Sequence, residues 1–391
     1  MLAGAVAAGD VPGVAALVAG RGGVSYAGAF GLREAGRGDD MTADTVVWIA
    51  SMTKPLTAVA ALRLVERGRL ALDEPLVGLL PELAAVRVLA GFAADGSPRL
   101  RPPRRPVTLR RLLSHTAGFG SALFNADVAR FQTHAGLPPL GECREVTLLG
   151  TPLLFDPGER WEYGTGNDWA GRAVERASGQ TLEDYLGEHV CGPLGMADTG
   201  FLLRPDQRAR LARVHRRQPD GSLAPDAYEV TQRPEFFLGG GGLYSTAADY
   251  LRFARTLLGG GHLDGARVLR PETAAMLGAP QTGALPVGRL AGTLPTSTGD
   301  IDLLPGTPTA WGFGGLIAGD DTPDGRAAGS WGWAGLANTH FWVDPARGLA
   351  AVFVAQVLPF GDRRVLTTLR AFQRAVYGLP PTGARADEPE T

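Results

Sequence analysis

Apolar residues recur along this chain with two different periods, which separate strands from helices. Apolar runs at 14–19 and 24–30 flank an Arg-Gly-Gly turn at 21–23 and predict a β-hairpin. Similar runs predict three more strands over 329–335, 339–343 and 349–356, with a turn at 344–348 between the last two. A sheet built from these strands must therefore join distant parts of the chain.

Helical spacing marks most of the remaining segments. Apolar residues at 56, 59, 62 and 65 predict a helix over 56–67, and glycines at 179 and 259 end two further helices. A short apolar run at 45–50 predicts a strand that leads into 51–55. The predicted helices are 2–8, 56–67, 168–178, 181–190, 249–258 and 362–377.

This order of elements predicts an α/β fold of the α+β type, in which an antiparallel sheet is flanked by helices beside an α-rich subdomain. We expect 1–69 and 226–378 to form the sheet domain and 70–225 to form the inserted α-rich subdomain. Residues 379–391 are expected to be a flexible tail. Residues 278–326, rich in Gly, Pro, Thr and Asp, predict a long irregular segment near the mouth of a site.

Composition excludes several function classes. The chain is 45% hydrophobic with a formal net charge of −2, which is typical of a globular protein and gives no field that attracts nucleic acid or a membrane surface. The N-terminal residues lack the basic start of a signal peptide, so we expect a cytoplasmic protein. Cys143 and Cys191 are expected to be free thiols, and the six histidines show no metal-binding spacing. We therefore expect neither a metal nor a cofactor.

Lysine usage points to one residue. Lys and Arg together number 38, yet Lys54 is the single lysine, so 37 are arginine. Surface charge can be carried by either residue, but arginine stays protonated in ordinary sites whereas a buried lysine can act as a base. Lys54 is therefore the first candidate for chemistry.

Ser51 lies three residues before Lys54, a spacing that places both side chains on one face of a helix. A serine hydroxyl becomes a good nucleophile when a neighbouring base takes its proton. Burial and the positive end of the helix dipole both disfavour the charged form of a lysine at this position. The Ser51 backbone N–H at the helix start would supply half of an oxyanion hole.

A tyrosine offers a third group. Tyr163 follows a Pro-Gly turn in the segment PGERWEYGT at 157–165. Beside a second cation, a phenol can pass a proton between nucleophile, base and leaving group. Taken alone, a tyrosine between a turn and a helix is more often a packing residue.

Several spaced motifs resemble the class C β-lactamase and family VIII carboxylesterase group, from about residue 5 to 377. In the order of that family they are WIASMTKP (48–55), LLSHTAG (112–118), PGERWEYGT (157–165), PLGM (193–196), GGLYSTAAD (241–249), GSWGWAG (329–335) and FWVDP (341–345).

The resemblance implies a serine β-lactamase or penicillin-binding-protein-like fold. By position it makes Ser51 the nucleophile, Lys54 its base and Tyr163 the proton relay. Trp333, Ala334 and Gly335 fall where β-lactamases carry Lys-Thr-Gly on a strand that lines the site, and the backbone N–H of Leu336 would complete the oxyanion hole with that of Ser51. Thr165, with these three strand residues, would contact substrate.

Two departures from the β-lactamase pattern bear on the substrate. The Tyr-x-Asn motif is Tyr163-Gly164-Thr165 here, and the third motif has lost its lysine and threonine, which recognise the carboxylate of a β-lactam or a D-alanyl terminus. A charge-assisted hydrogen bond to a carboxylate contributes about 1.5–3 kcal/mol. Neutral, partly apolar esters or other small-molecule acyl donors therefore suit the site better than anionic peptides.

Four hypotheses are ordered accordingly. The first is a carboxylesterase that acylates Ser51 and releases the acyl group to water; the second is an acyltransferase that passes it to an alcohol or amine. A β-lactamase or D-alanyl peptidase ranks third, and a non-catalytic binding protein ranks last. His115 is interpreted as structural, and the glycine run at 239–242 is interpreted as a turn into the 249–258 helix, since no Gly-Lys pair follows it.

Overall fold

The computed structural model describes residues 1–380. Its α-helices are α1 (Leu2–Ala7), α2 (Thr53–Glu66), α3 (Leu109–Leu113), α4 (Ala126–Ala135), α5 (Glu145–Gly150), α6 (Gly166–Ser178), α7 (Leu182–Leu186), α8 (Pro205–Ala209), α9 (Ala247–Leu258), α10 (Pro271–Ala275) and α11 (Arg363–Val376). Most of the predicted tail, residues 381–391, lies outside the described residues.

The strands extend from one end of the described chain to the other. They are β1 (Gly13–Gly20), β2 (Gly23–Glu34), β3 (Arg37–Asp40), β4 (Val47–Trp48), β5 (Val88–Phe92), β6 (Pro98–Arg101), β7 (Val214–Arg217), β8 (Leu223–Asp226), β9 (Tyr244–Ser245), β10 (His262–Leu263), β11 (Ala266–Arg267), β12 (Thr309–Trp311), β13 (Leu316–Ala318), β14 (Trp331–Gly335), β15 (Thr339–Asp344), β16 (Leu349–Val354) and β17 (Val357–Leu358).

Eight of these strands form one antiparallel sheet in the order β12-β13-β14-β15-β16-β1-β2-β3. The N-terminal strand β1 pairs with the late strand β16, with Leu17 opposite Val352. The prediction that strands from both ends of the chain share a sheet is confirmed. The pairing of β1 with β16 places β14 in the same sheet as β1, although more than 300 positions separate the two strands in the sequence.

Helices cover both faces of the sheet, which explains why β1 is a continuous apolar run. Successive side chains of a strand point to opposite faces. Val14 and Ala16 pack with α1 and α11 in one core, where Leu369 is also buried, whereas Ala15 and Leu17 belong to the larger core on the other face. Helix α9 packs there against β1, β15 and β16. The predicted antiparallel sheet with flanking helices is confirmed.

The segment around the predicted nucleophile departs from the sequence expectation. The predicted strand over 45–50 shortens to β4, since Ala50 has a left-handed φ of +45° and the chain turns there into a 3₁₀ turn over Ala50–Met52. Helix α2 begins at Thr53 rather than at residue 56. Pro55 allows this because the N–H groups of a first helical turn need no intrahelical partner.

Other boundaries also shift. The predicted helix over 181–190 is an α-helix only through Leu186 and continues as a π-helical turn, Gly187–Cys191. Strand β3 extends the sheet beyond the predicted hairpin. The predicted irregular segment 278–326 contains β12 and β13, which pair with each other and join β14 at the sheet edge. Short strands held by sheet neighbours leave little periodicity in the sequence.

Residues 70–225 contain α3 to α8, together with short strands. Strand β7 belongs to this segment but pairs in parallel with β17, which lies outside it, and His215 is opposite Val357. The division of the chain into a sheet domain and an inserted subdomain stays a prediction.

Candidate active site

Ser51 occupies the 3₁₀ turn between β4 and α2. Its side chain is half-buried, at the N-terminal end of the helix. The preceding Ala50 is held in the left-handed region, which costs an L-residue roughly 1–2 kcal/mol. Thr53 Oγ1 donates to the Ala50 carbonyl oxygen at 2.6 Å and braces this turn. Ser51, which follows the strained Ala50, lines the cavity beside α2.

The Lys54 side chain reaches back to Ser51. Its Nζ donates to Ser51 Oγ at 3.1 Å and to the Gly240 carbonyl oxygen at 2.6 Å. The residue is only 7% exposed. The structure thus brings together the two groups that the spacing of three paired in the sequence, and it seats the amine out of bulk solvent.

The glycine segment, residues 239–242, forms a wall of this site. Thr57 Oγ1 donates to the Gly239 carbonyl oxygen at 2.7 Å, and Trp48 Nε1 donates to the Gly241 carbonyl oxygen at 2.8 Å. The segment leads toward α9, as the sequence analysis predicted. Its residue Gly240 also supplies the carbonyl oxygen that accepts from Lys54, and a side-chain motif cannot indicate a backbone role of this kind.

Tyr163 lies against the same amine. Lys54 Nζ is 4.7 Å from the centroid of its ring. The phenol oxygen accepts a hydrogen bond from Trp333 Nε1 at 3.0 Å. Within the described residues, Tyr163 Oη forms no hydrogen bond with Ser51 or Lys54. The geometry therefore brings the three predicted groups into one neighbourhood and leaves the proton relay as a proposal.

The indole of Trp333 gives a first testable prediction. Trp333→Phe retains an aromatic ring but removes the donor to Tyr163 Oη, and a lost hydrogen bond of this kind corresponds to about 0.5–1.5 kcal/mol. We expect kcat/KM for an ester to fall by about threefold to tenfold, measured by initial rates.

A matched control exists on the opposite face of the sheet. Trp342 Nε1 donates to Tyr377 Oη, also at 3.0 Å. Trp342→Phe should lower the melting temperature and leave kcat/KM as in the wild type. Equal kcat/KM values for the two variants would show that the Trp333–Tyr163 hydrogen bond has no part in the chemistry.

The end of β14 approaches the nucleophile turn closely. A Cβ on Gly335 would lie 2.2 Å from the Ile49 carbonyl oxygen, so only glycine fits there. This contact brings the strand end, with Ala334 and Leu336, to the cavity that Ser51 lines. Thr165, buried just before α6, lines the same cavity. Three of the four predicted substrate-binding residues and both predicted oxyanion residues therefore line one cavity, whereas the fourth, Gly335, lies against the nucleophile turn.

His115 fits the structural interpretation. It is buried, has a left-handed φ of +58°, and its Nδ1 accepts a hydrogen bond from the Gly164 backbone N–H at 3.3 Å. Burial, and next the charge of Lys54, lower the pKa of His115 well below its usual value. A neutral ring therefore packs at 4.7 Å, between centroids, beside Tyr163.

The cavity beside Ser51 has a volume of about 470 Å³. Most of its wall is apolar, including Leu123, Phe124, Leu140, Leu238, Leu294 and Phe360. Leu294 belongs to the segment 278–326 that the sequence predicted near a site mouth. A cavity of this size and character is typical of a small-molecule site.

Residues 1–380 contain no cluster of three or more His, Cys, Asp or Glu side chains placed to hold a metal ion. None of the helices in that range combines the length and apolar character that crossing a bilayer requires.

Comparison with known proteins shows the family to which the chain belongs. The family model described as Beta-lactamase matches residues 1–375. The chain belongs to the beta-lactamase family. The predicted resemblance and the predicted fold class are thereby confirmed.

Relatives of this beta-lactamase family member include transferases and an esterase. The chain is 34% identical to monacolin J acid methylbutanoyltransferase of Aspergillus terreus, over 91% of this chain and 89% of the relative. It is 33% identical to lovastatin esterase of Penicillium rubens, over 85% of each. The solved structure of a simvastatin synthase mutant from Aspergillus terreus superposes with a TM-score of 0.84, 32% identity and coverage of 96% and 93%. These relatives confirm the expectation of an enzyme that is related to esterases and acyltransferases.

Sequence reasoning missed one charged residue at the site of this family member. Asp168 borders the cavity, and its Oδ1 accepts a hydrogen bond from the Gly240 backbone N–H at 2.7 Å. In the sequence it is an ordinary acidic residue at a helix start, where acids are common. Its partner lies 72 positions away, so local spacing carried no signal.

Proposed function

We propose that this protein is a serine hydrolase of the carboxylesterase type, which forms an acyl-enzyme on Ser51 from neutral or apolar esters. The observation that carries the proposal is the 3.1 Å contact between Lys54 Nζ and Ser51 Oγ inside an apolar cavity. A buried amine in hydrogen-bond contact with a hydroxyl has the geometry of a base that activates a nucleophile.

In the proposed acylation step, Lys54 takes the Ser51 proton as Oγ attacks the ester carbonyl carbon. The carbonyl oxygen becomes an oxyanion, which the backbone N–H groups of Ser51 and Leu336 would bind. Collapse of the tetrahedral intermediate breaks the bond between the carbonyl carbon and the alcohol oxygen, and the proton that Lys54 took passes through Tyr163 to that oxygen. Lys54, again neutral, then takes a proton from water as the water oxygen attacks the acyl-enzyme carbonyl carbon. Collapse of this second intermediate returns the proton to Ser51 Oγ and releases the carboxylic acid.

The charges that line the cavity support a neutral substrate. Trp333 stands where β-lactamases carry a lysine, and it donates only a neutral N–H to Tyr163. Arg216 lines the cavity, but its Nε and Nη2 both donate to Asp226 Oδ2, at 2.9 and 2.6 Å, and its Nη1 donates to the Thr296 carbonyl oxygen. Its guanidinium is therefore already engaged with a carboxylate. An anionic substrate would gain little from it.

A second candidate function is transfer of the acyl group to an alcohol. Two observations favour it. Curated relatives named as acyltransferases or methylbutanoyltransferases match 72% to 91% of the chain, and the apolar cavity of about 470 Å³ exceeds the space that a short acyl chain fills. An alcohol held in that space would attack the acyl-enzyme in place of water. The choice depends on how well the cavity excludes water and holds the acceptor.

A panel of p-nitrophenyl acetate, butyrate and hexanoate tests the proposal and separates its two forms. We expect p-nitrophenol release well above the buffer rate, with free carboxylic acid as the product in water. Adding an apolar alcohol should divert acyl groups into a new ester, measured by mass spectrometry, if transfer is the second activity. Release at the buffer rate from every ester would remove both candidates.

A further inference from the structure

Asp168 is joined to the proposed base, Lys54, through a single residue. Its carboxylate accepts from the Gly240 backbone N–H at 2.7 Å, and the carbonyl oxygen of Gly240 accepts from Lys54 Nζ at 2.6 Å. Lys54 in turn donates to Ser51 Oγ at 3.1 Å. The main chain of Gly240 therefore stands between a carboxylate and the amine that contacts Ser51.

The contact between Asp168 and Gly240 is too close for any other residue at 240. A Cβ on Gly240 would lie 2.7 Å from Asp168 Oδ2 and 2.9 Å from Oδ1. Its backbone is not in the left-handed region, so close approach, rather than φ, requires the glycine. The N–H and the C=O of Gly240 belong to adjacent peptide planes, so the carboxylate anchors the Gly240 main chain from one side while Lys54 contacts it from the other.

The charge of Asp168 also acts on Lys54. Asp168 is 2% exposed, and burial raises the pKa of its carboxyl to about 6, an effect that the positive charge of Lys54 opposes. Among the described residues, no arginine or lysine forms a direct ion pair with it. The groups that interact with it electrostatically are Lys54 and the buried Cys143 thiol, whose pKa is raised by its own burial and next by Asp168. Above about pH 6, the carboxylate of Asp168 is therefore a buried anion near the amine of Lys54.

We propose that Asp168 is a positioning residue, which anchors the Gly240 main chain beside Lys54 through the Gly240 N–H and stabilises the ammonium that forms when Lys54 takes the Ser51 proton. This inference rests on the proposed function. A buried carboxylate plays a comparable part in serine proteases, where it orients the base and stabilises its charged form. In this protein the main chain of Gly240 lies between the carboxylate of Asp168 and the amine of Lys54.

The single lysine makes a direct test possible. Protein grown with [ε-13C]lysine gives one side-chain signal, that of Lys54. Asp168→Asn keeps an acceptor for the Gly240 N–H and removes the charge. Because an opposite charge favours the protonated amine, we expect the titration midpoint of the signal to move to lower pH by about one unit in this variant.

Activity provides a second measurement on the same variants. On the alkaline plateau of kcat/KM, where the amine is deprotonated in both proteins, Asp168→Asn should lower kcat/KM for p-nitrophenyl butyrate by about tenfold. Asp168→Ala also removes the acceptor for a buried N–H, so we expect a loss of about 10-fold to 100-fold.

Asp249→Asn is the matched control. Asp249 is a buried carboxylate in the first turn of α9, bound by the Asp198 N–H at 2.8 Å and Thr199 Oγ1 at 3.0 Å, and burial raises its pKa too. It has no contact with Lys54, so its variant should leave the lysine titration and kcat/KM as in the wild type.

The outcomes separate this inference from the proposed function. An unchanged lysine titration and an unchanged plateau in Asp168→Asn, in an enzyme that does acylate Ser51, would overturn the role of Asp168 alone. A wild-type protein that never acylates Ser51 would overturn the proposed function, whatever the lysine signal shows. The inference is supported if Asp168→Asn shifts the Lys54 titration and lowers the alkaline plateau of kcat/KM, while Asp249→Asn changes neither.

Discussion

Ser51→Ala should abolish labelling by a fluorophosphonate probe and lower kcat/KM for esters by at least about a thousandfold. The physical reason is that the hydroxyl is the group in hydrogen-bond contact with the buried amine, and alanine has no atom with which to form the covalent intermediate. Gel fluorescence and ester turnover measure the two effects.

Ser222→Ala is a suitable control, because Ser222 is exposed in the turn between β7 and β8 and does not line the cavity beside Ser51. It should be labelled at the wild-type rate. Labelling that persists in Ser51→Ala would place the nucleophile at another residue.

Lys54→Arg should be nearly as damaging as Lys54→Ala, with each lowering kcat/KM by about a hundredfold or more. Arginine keeps the positive charge but stays protonated, so it cannot accept the Ser51 proton. Its larger planar head also fits poorly where the amine donates to Gly240 at 2.6 Å. Steady-state kinetics of the two variants, with melting temperatures to confirm folding, measure the effect.

An Lys54→Arg variant that keeps most of the wild-type kcat/KM would show that charge, and not basicity, is what this position supplies. The comparison is clean because the chain has no other lysine that could substitute for the missing amine.

Local rules predicted the centre of the candidate site. The spacing of three between Ser51 and Lys54 predicts two side chains on one face of a helical turn, and the 3₁₀ turn that runs into α2 keeps that relation. The order of the later motifs placed Tyr163 and Trp333 beside them, although 170 positions separate these two residues. What the resemblance could not supply was the hydrogen bond between them.

Long-range pairing explains most of what the sequence did not predict. The contact between Asp168 and Gly240 joins two segments whose own patterns are those of a helix start and a glycine turn. Strands β12 and β13 have three residues each, and they exist because β14 offers them a sheet edge. Such elements are set by their neighbours rather than by their own periodicity.

The start of α2 shows how far a periodic pattern fixes a boundary. The apolar spacing begins at residue 56 and Pro55 suits the first helical turn, whereas the structure begins α2 two residues before Pro55. The difference matters because it places Lys54 inside the helix and Ser51 in the turn that precedes it.

Rapid-quench mass spectrometry with p-nitrophenyl butyrate tests the central claim most directly. Protein mixed with the ester, quenched in acid within milliseconds and digested should carry a butyryl group on the peptide that contains Ser51, at a level that decays as substrate is consumed. Turnover of the ester with no acylated peptide, or with the acyl group on a different residue, would contradict an acyl-enzyme at Ser51.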